Sequence, residues 1–152
     1  MSLPAGETRL LSFELQGDAQ AVMGRVEEIE TFLTDAGCGM GPTQQVAIVA
    51  EEILMNIAQN AWGDATAGRC VVDLSAEQRA DGVWVTLRTQ DDGVAFDPLA
   101  AEAPDLEASL EEREIGGLGI HMIRTMTDQQ AYRRTDGLNV LEVRKLCARA
   151  AG

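Results

Sequence analysis

Apolar positions along this chain follow two spacings, and the switches between them mark its elements. Leu11, Phe13 and Leu15 fall on every second residue and predict a strand over residues 8–15. From Val22 through Val26, Ile29 and Leu33 the spacing lengthens to three and four. That is a helix, which Asp18 can cap and which stops near Gly37. The loop GCGMGPT follows, and Pro42 or Thr43 opens a second helix over residues 44–60, QQVAIVAEEILMNIAQN. Trp62, Gly63, Asp64 and Gly68 mark its exit. Residues 69–75 read as a strand, Asp81-Gly82 as a hairpin signal, and residues 83–89 as the returning strand with Val83, Val85 and Leu87 on one face. Residues 99–114 are rich in Ala, Asp and Glu without strand alternation, a short helix or a mobile loop. IGGLGI, residues 115–120, is a glycine turn entering a helix that carries Ile120, Ile123 and Met126. Residues 130–135 and 138–146 form a last hairpin around Asp136-Gly137. The order β-α-α-β-β-loop-α-β-β keeps helices apart from mainly antiparallel strands, which predicts an α+β two-layer sandwich. No repeat, linker or second domain interrupts residues 1–152.

The second helix organises the rest. With about 100° between successive residues on a helical wheel, Asn56 and Asn60 follow Glu52 at i+4 and i+8, and Gln45 and Gln59 fall beside them. Val46, Val49, Ile53 and Ile57 occupy one flank, and Ala47, Ala50, Leu54, Ala58 and Ala61 the back. A helix apolar around most of its circumference is mostly buried. A carboxylate and two amides on its remaining face are costly there unless paired, hydrated or turned toward a ligand.

Composition narrows the function classes. The length of 152 residues suits one domain with one core, and 45% hydrophobic but only 4% aromatic content makes that core aliphatic. A formal net charge of −13 repels nucleic-acid phosphates and anionic lipid, so direct nucleic-acid or membrane binding is not expected, whereas a basic protein partner is compatible. Cys38, Cys70 and Cys147 are odd in number and lack CxxC spacing, which reads as reduced thiols in a cytoplasm. No basic-then-apolar leader and no run of membrane-spanning length occurs. A single histidine, His121, argues against a His-rich zinc site.

Three clusters carry possible chemistry. In the row Glu52/Asn56/Asn60, a carboxylate can take a proton or orient a hydroxyl, and an amide oxygen one turn later is a hard ligand for Mg²⁺. The plain alternative is a solvated helix face. Asp91-Asp92-Gly93 closes a strand. Asp91 can accept a hydrogen bond from an exocyclic amine such as that of adenine, and Gly93 admits a flat ring, although Asp-Asp-Gly is also an ordinary turn. In Gly116-Gly117-Leu118-Gly119-Ile120 the free N–H groups at a helix start can hold phosphate oxygens and the glycines can hinge. This turn lacks the GxxxxGK[ST] pattern of a P-loop and does not follow a strand as a dinucleotide fingerprint does.

Taken in order, VAEEILMNIAQNA, DDGVAFDP and GGLGIHMIRTMTDQQAYRRTDGLNVLEVRK resemble the N, G1 and G2 boxes of the Bergerat (GHKL) ATP-binding fold. Within it they resemble the anti-sigma factor serine/threonine kinases of bacteria, over nearly the whole chain. The resemblance implies a two-layer α/β sandwich with a mixed, mainly antiparallel sheet. It implies ATP and Mg²⁺ as cofactors, with Asn56 as metal ligand and Glu52 as general base toward a substrate hydroxyl. Asp91 and Gly93 would take the adenine. Gly117, Leu118, Gly119 and Ile120 would hold phosphates, and residues 98–115 would form a lid. Asn60, where many relatives carry His, would join the nucleotide site. The implied activity is phosphorylation of a small anti-sigma antagonist by a kinase, a homodimer, that also sequesters a sigma factor. The alternative is a nucleotide-dependent binding switch without kinase turnover.

Other residues are given plainer roles. Ala95 replaces a glycine common in the G1 box. Arg113, the only lid cation, and the acidic run Glu107, Glu111, Glu112 and Glu114 read as solvated. His121 and Arg124 read as structural or surface residues, Trp62 and Phe96 as core or pocket wall, and Asn139 as a support of the adenine site.

Overall fold

The computed structural model describes residues 5–15, 19–62, 68–100 and 117–151. In chain order these form β1 (Thr8–Glu14), α1 (Ala19–Asp35), α2 (Met40–Asn60), β2 (Cys70–Arg79), β3 (Gly82–Asp91), a 3-10 turn (Pro98–Ala100), α3 (Gly117–Met126), β4 (Gln129–Thr135) and β5 (Leu138–Cys147). The strands make one five-stranded sheet in the order β1-β2-β3-β5-β4. Every pairing is antiparallel, so the mixed character expected of the sheet is absent among the described strands. Both consecutive pairs, β2–β3 and β4–β5, are hairpins, and hairpins impose that direction.

Alternation assigns the two faces. Cys70, Val72, Leu74, Ala76 and Gln78 of β2 are buried, as are Val83, Val85, Leu87, Thr89 and Asp91 of β3. Against this face pack Val22, Val26, Ile29 and Leu33 of α1 and Val46, Val49, Ala50, Ile53 and Leu54 of α2, with Ile123 of α3 closing the far end. Each such aliphatic side chain contributes roughly 1.5–3 kcal/mol on burial. The core is aliphatic, as composition requires.

Three boundaries differ from the sequence reading, each for a physical reason. α2 begins at Met40, before Pro42, because a proline in the first turn gives up only an N–H that has no intrahelical acceptor. β2 continues to Arg79, because Ala76 and Gln78 still face the core while Glu77 and Arg79 point outward. The Gln78 amide donates to the Ala36 carbonyl at 2.6 Å, which compensates a polar side chain only 2% exposed. The β2–β3 turn is centred on Ala80-Asp81, since Arg79 pairs with Gly82. Gly82 stands in the strand, where a Cβ would approach the Cys147 carbonyl oxygen to 2.6 Å. The last hairpin turns at Asp136-Gly137 as expected, with φ of 52° and 77°, the double positive φ of a two-residue turn matched to strand twist.

Candidate functional site

Between the C-terminal half of α2 and the ends of β3 and β5 lies a cavity of about 390 Å³, within the range of small-molecule sites. Asn56 and Asn60 line it from α2, Thr89 and Asp91 from β3, and Asn139 and Leu141 from β5. Val94, Ala95 and Phe96 form one wall, and Ile123 of α3 and Tyr132 of β4 complete it. Phe96 is a pocket-wall residue, 52% exposed at the rim. Ile57 on α2 is half-buried and lines this cavity.

The β3 end is the most ordered part of the site. Asp91 is 5% exposed. Its Oδ1 accepts the Gly93 N–H at 3.0 Å and the Asn139 amide at 3.0 Å. Both bonds fall on Oδ1, which leaves Oδ2 as an acceptor for a ligand. The Asn139 amide also donates to the Val94 carbonyl at 2.8 Å, and its Oδ1 accepts the Phe96 N–H at 3.2 Å and the Tyr132 hydroxyl at 2.5 Å. The strand register explains the meeting: Asp91 pairs with Asn139 across β3–β5.

Gly93 has a role beyond the one read from sequence. A Cβ there would come within 2.4 Å of the Ala61 carbonyl oxygen and 2.5 Å of the Ala61 Cβ. Its absence lets the post-β3 turn lie on the end of α2, where the Val94 N–H donates to the Ala61 carbonyl at 2.7 Å. Arg134 donates to the Gly93 carbonyl at 2.8 Å from the other side. Asp92 accepts the Trp62 indole N–H at 2.7 Å and the Arg69 backbone N–H at 2.9 Å. These two bonds, Arg69 first, hold its carboxyl below the usual carboxylate value. Trp62 packs partly on the core and ties α2 to this turn.

On α2, Asn56 and Asn60 line the cavity, whereas Glu52, one turn before Asn56 and next to the lining residue Ile53, does not. The Asn56 Nδ2 reaches Glu52 Oε1 at 3.5 Å, a long bond that turns the Asn56 carbonyl oxygen to the opposite side. Burial, with Glu51 next to it, raises the Glu52 carboxyl above its ordinary 4.5, against the lowering effect of Asn56. Among the described residues no three His, Cys, Asp or Glu side chains gather as a metal cage. A cation beside Asn56 would therefore draw its remaining ligands from phosphate and water, the habit of Mg²⁺.

Gly117, Leu118, Gly119 and Ile120 form the first turn of α3. Nothing is described of their side chains. Unpaired N–H groups of such a first turn bind anions. The lid reading falls mostly outside the described residues: Pro98–Ala100 is a 3-10 turn, and Arg113 with the acidic run lies in residues 101–116. His121 is half-buried and Arg124 exposed on α3. Sequence reasoning missed Tyr132, Thr89 and Arg134, since only the pairing of distant strands brings them here. The one local signal was the polar Asn139 inside an aliphatic strand.

Comparison with known proteins adds to this geometry. A family model described as the histidine kinase-like ATPase domain matches residues 16–145. The chain is 31% identical over 96 residues to the serine/threonine-protein kinase BtrW of Bordetella bronchiseptica, a match spanning 63% of this chain and 65% of that protein. A crystal structure of the RsbU and RsbW domains of Rv1364c from Mycobacterium tuberculosis superposes with a TM-score of 0.61 at 12% identity, over 95% of this chain and 35% of that one, a likeness of fold.

Proposed function

The chain belongs to the histidine kinase-like ATPase family, and from that premise we propose that it is an ATP-dependent serine/threonine protein kinase of the anti-sigma type. Its substrate in this reading is a hydroxyl of a small antagonist protein, and its second partner a sigma factor held in a partner switch. The observation that carries the reading is a pair of groups in the cavity lining. From β3, Asp91 offers a buried acceptor oxygen suited to an adenine amine. From α2, Asn56 offers an amide oxygen, with Glu52 one turn before it. The likeness to a protein named a serine/threonine kinase supports the choice of activity.

The residues divide the work by position. Asp91 and the walls Val94 and Phe96 would seat the base. The first-turn N–H groups of α3 would take phosphate oxygens. Mg²⁺, held by Asn56, would neutralise charge on the transferring phosphoryl group. Glu52, outside the cavity lining, is placed to meet an approaching protein hydroxyl, accept its proton and orient its oxygen. Asn60 joins Asn56 as a weaker nucleotide contact. An acidic surface favours basic partners. A homodimer belongs to the same reading, with the open edge strand β1, where Leu10 is 77% exposed, as its support. So does a cytoplasmic location, supported by three free thiols; no described helix is long and apolar enough to cross a membrane.

The test is incubation with Mg-ATP and a cognate antagonist, read by mass spectrometry for phosphoserine or phosphothreonine, beside calorimetric ATP binding. Glu52→Gln should keep ATP affinity and lose transfer by about 10²-fold or more. Asn56→Ala should lose both. Full transfer by Glu52→Gln would remove the base assignment. ATP binding by the wild type without transfer to any antagonist would replace the kinase with the binding switch.

A further inference from the structure

We propose that Asn139 is a specificity-determining positioning residue. Through Asp91 it makes the site selective for a purine that carries an amine at C6 rather than hydrogen or a carbonyl. The proposal rests on the reading of the cavity as a nucleotide site.

The argument starts from what each neighbour of the Asn139 amide is able to do. The Val94 carbonyl can only accept, and it stands 2.8 Å from Nδ2. The Phe96 backbone N–H can only donate, and it stands 3.2 Å from Oδ1. These two backbone groups fix which end of the amide is which, because a flip would set donor against donor and acceptor against acceptor. The Tyr132 hydroxyl adds a second donor to the Oδ1 end. Asn139 is 6% exposed, so none of these bonds has water in ready exchange.

The locked amide therefore presents an N–H to Asp91 and nothing else. Together with the Gly93 N–H it bonds Oδ1 and fixes the carboxylate's rotation, while neither bond engages Oδ2 of this cavity-lining residue. An acceptor oxygen held there rewards a ligand donor. A ligand carbonyl opposite it meets acceptor against acceptor, and a C–H leaves it unpaired, both of which cost binding. Asn139 touches no ligand in this scheme; it acts by holding Asp91.

Affinities of the full-length protein for Mg-ATP, Mg-GTP and the Mg complex of 6-desamino-ATP (purine riboside triphosphate), measured by calorimetry, test this. In the wild type we expect ATP to bind about tenfold tighter than the desamino analogue, the size of one hydrogen bond to a charged group, and GTP weaker still. In Asn139→Ser, whose hydroxyl is too short to span the four partners, the preference for ATP over the analogue should shrink to about twofold or less, while the analogue itself binds nearly as before. A merely structural role would weaken ATP and the analogue by the same factor and keep their ratio, which would overturn the proposal. Asn139→Asp is the second variant should the serine form not fold. It keeps the size and both acceptor contacts but turns an oxygen, in place of an N–H, toward Asp91, and the same loss of preference is expected; an undiminished ratio overturns the proposal again. A wild type without any preference between ATP and the analogue would instead remove the underlying assignment of Asp91 to the base, and the two failures are thereby distinguished.

Discussion

Glu52 holds its proton more tightly than a free glutamate because half-burial on α2 and the neighbouring Glu51 both penalise its charge, with Asn56 offsetting part. The sign of the stability effect follows. A carboxyl whose folded value is raised favours the folded state while protonated, and that contribution is lost as pH rises from the ordinary 4.5 through the raised value. Glu52→Gln removes the charge without removing the shape. The variant should therefore melt higher than the wild type at neutral pH and converge with it at acid pH, below the ordinary 4.5, where the wild-type carboxyl is protonated. Melting curves across that range check it; a variant less stable at neutral pH would mean that the carboxylate is held by a favourable contact. A residue kept at a cost in stability, beside a ligand cavity, fits a chemical role better than a solvated helix face does. In the same row Asn56 and Asn60 line the cavity and Glu52 does not. The wheel put all three in one sector. It could not tell where along the helix axis the cavity ends.

At the scale of elements, α2 changes character midway. Up to Leu54 it buries Val46, Ala47, Val49, Ala50, Ile53 and Leu54, and from Ile53 to Asn60 it contributes the cavity wall. The end of that stretch is tied to the post-β3 turn by the close approach of Gly93 to Ala61, the Val94–Ala61 bond and the Trp62–Asp92 bond. Gly93→Ala would drive a Cβ into backbone atoms that cannot swing aside, a cost of about 2 kcal/mol by the usual penalty for overpacking, or roughly 4–8 °C in melting temperature for a chain of this size. Nucleotide affinity should fall with it, because Val94 is bonded to Ala61 and lines the cavity. Unchanged melting and unchanged affinity would show that the turn can lift from the helix freely. The elements themselves were legible because periods of two and of three to four are local properties: α1, β3 and the β4–β5 hairpin fall within a residue or two of their sequence reading. The far end of β2 was not, since Glu77, Gln78 and Arg79 look like a loop until the sheet shows that Gln78 faces inward with its amide bonded to Ala36. The sequence reading set Asn139 beside the adenine site, but its direct pairing with Asp91 was not legible either. Residues 48 positions apart meet through the β3–β5 register, and no local pattern encodes that register.

At the scale of the molecule, a net charge of −13 and a mainly aliphatic core set two general conditions. The charge selects partners; the core decides what is protected, and the thiols report on it. Cys38, Cys70 and Cys147 are all buried. Burial and the nearby Asp91 and Asp92 push Cys70 up to about 12. Cys147 donates its S–H toward Cys38, which holds Cys38 below the usual 9.0 and, with burial, pushes Cys147 far above it. These two sit where the loop before α2 is clasped to the C-terminal segment, by the Gly39 N–H on the Ala148 carbonyl at 2.8 Å and the Ala150 N–H on the Gly37 carbonyl at 3.0 Å. A disulfide reagent near pH 8 attacks only accessible thiolates. The native protein should therefore react slowly, and three equivalents should appear at once in guanidinium chloride. Under partial denaturation Cys38 should react first, because its clasp is peripheral and its thiolate the least disfavoured. Above pH 9 the raised thiols act in the other sense: the unfolded chain ionises while Cys70 and Cys147 in the folded chain do not, so stability falls as pH climbs toward 12. Prompt reaction of one native equivalent that maps to Cys70 would contradict this burial at the point where it matters most, because Cys70 is the cross-strand neighbour of Asp91, the candidate base-binding residue.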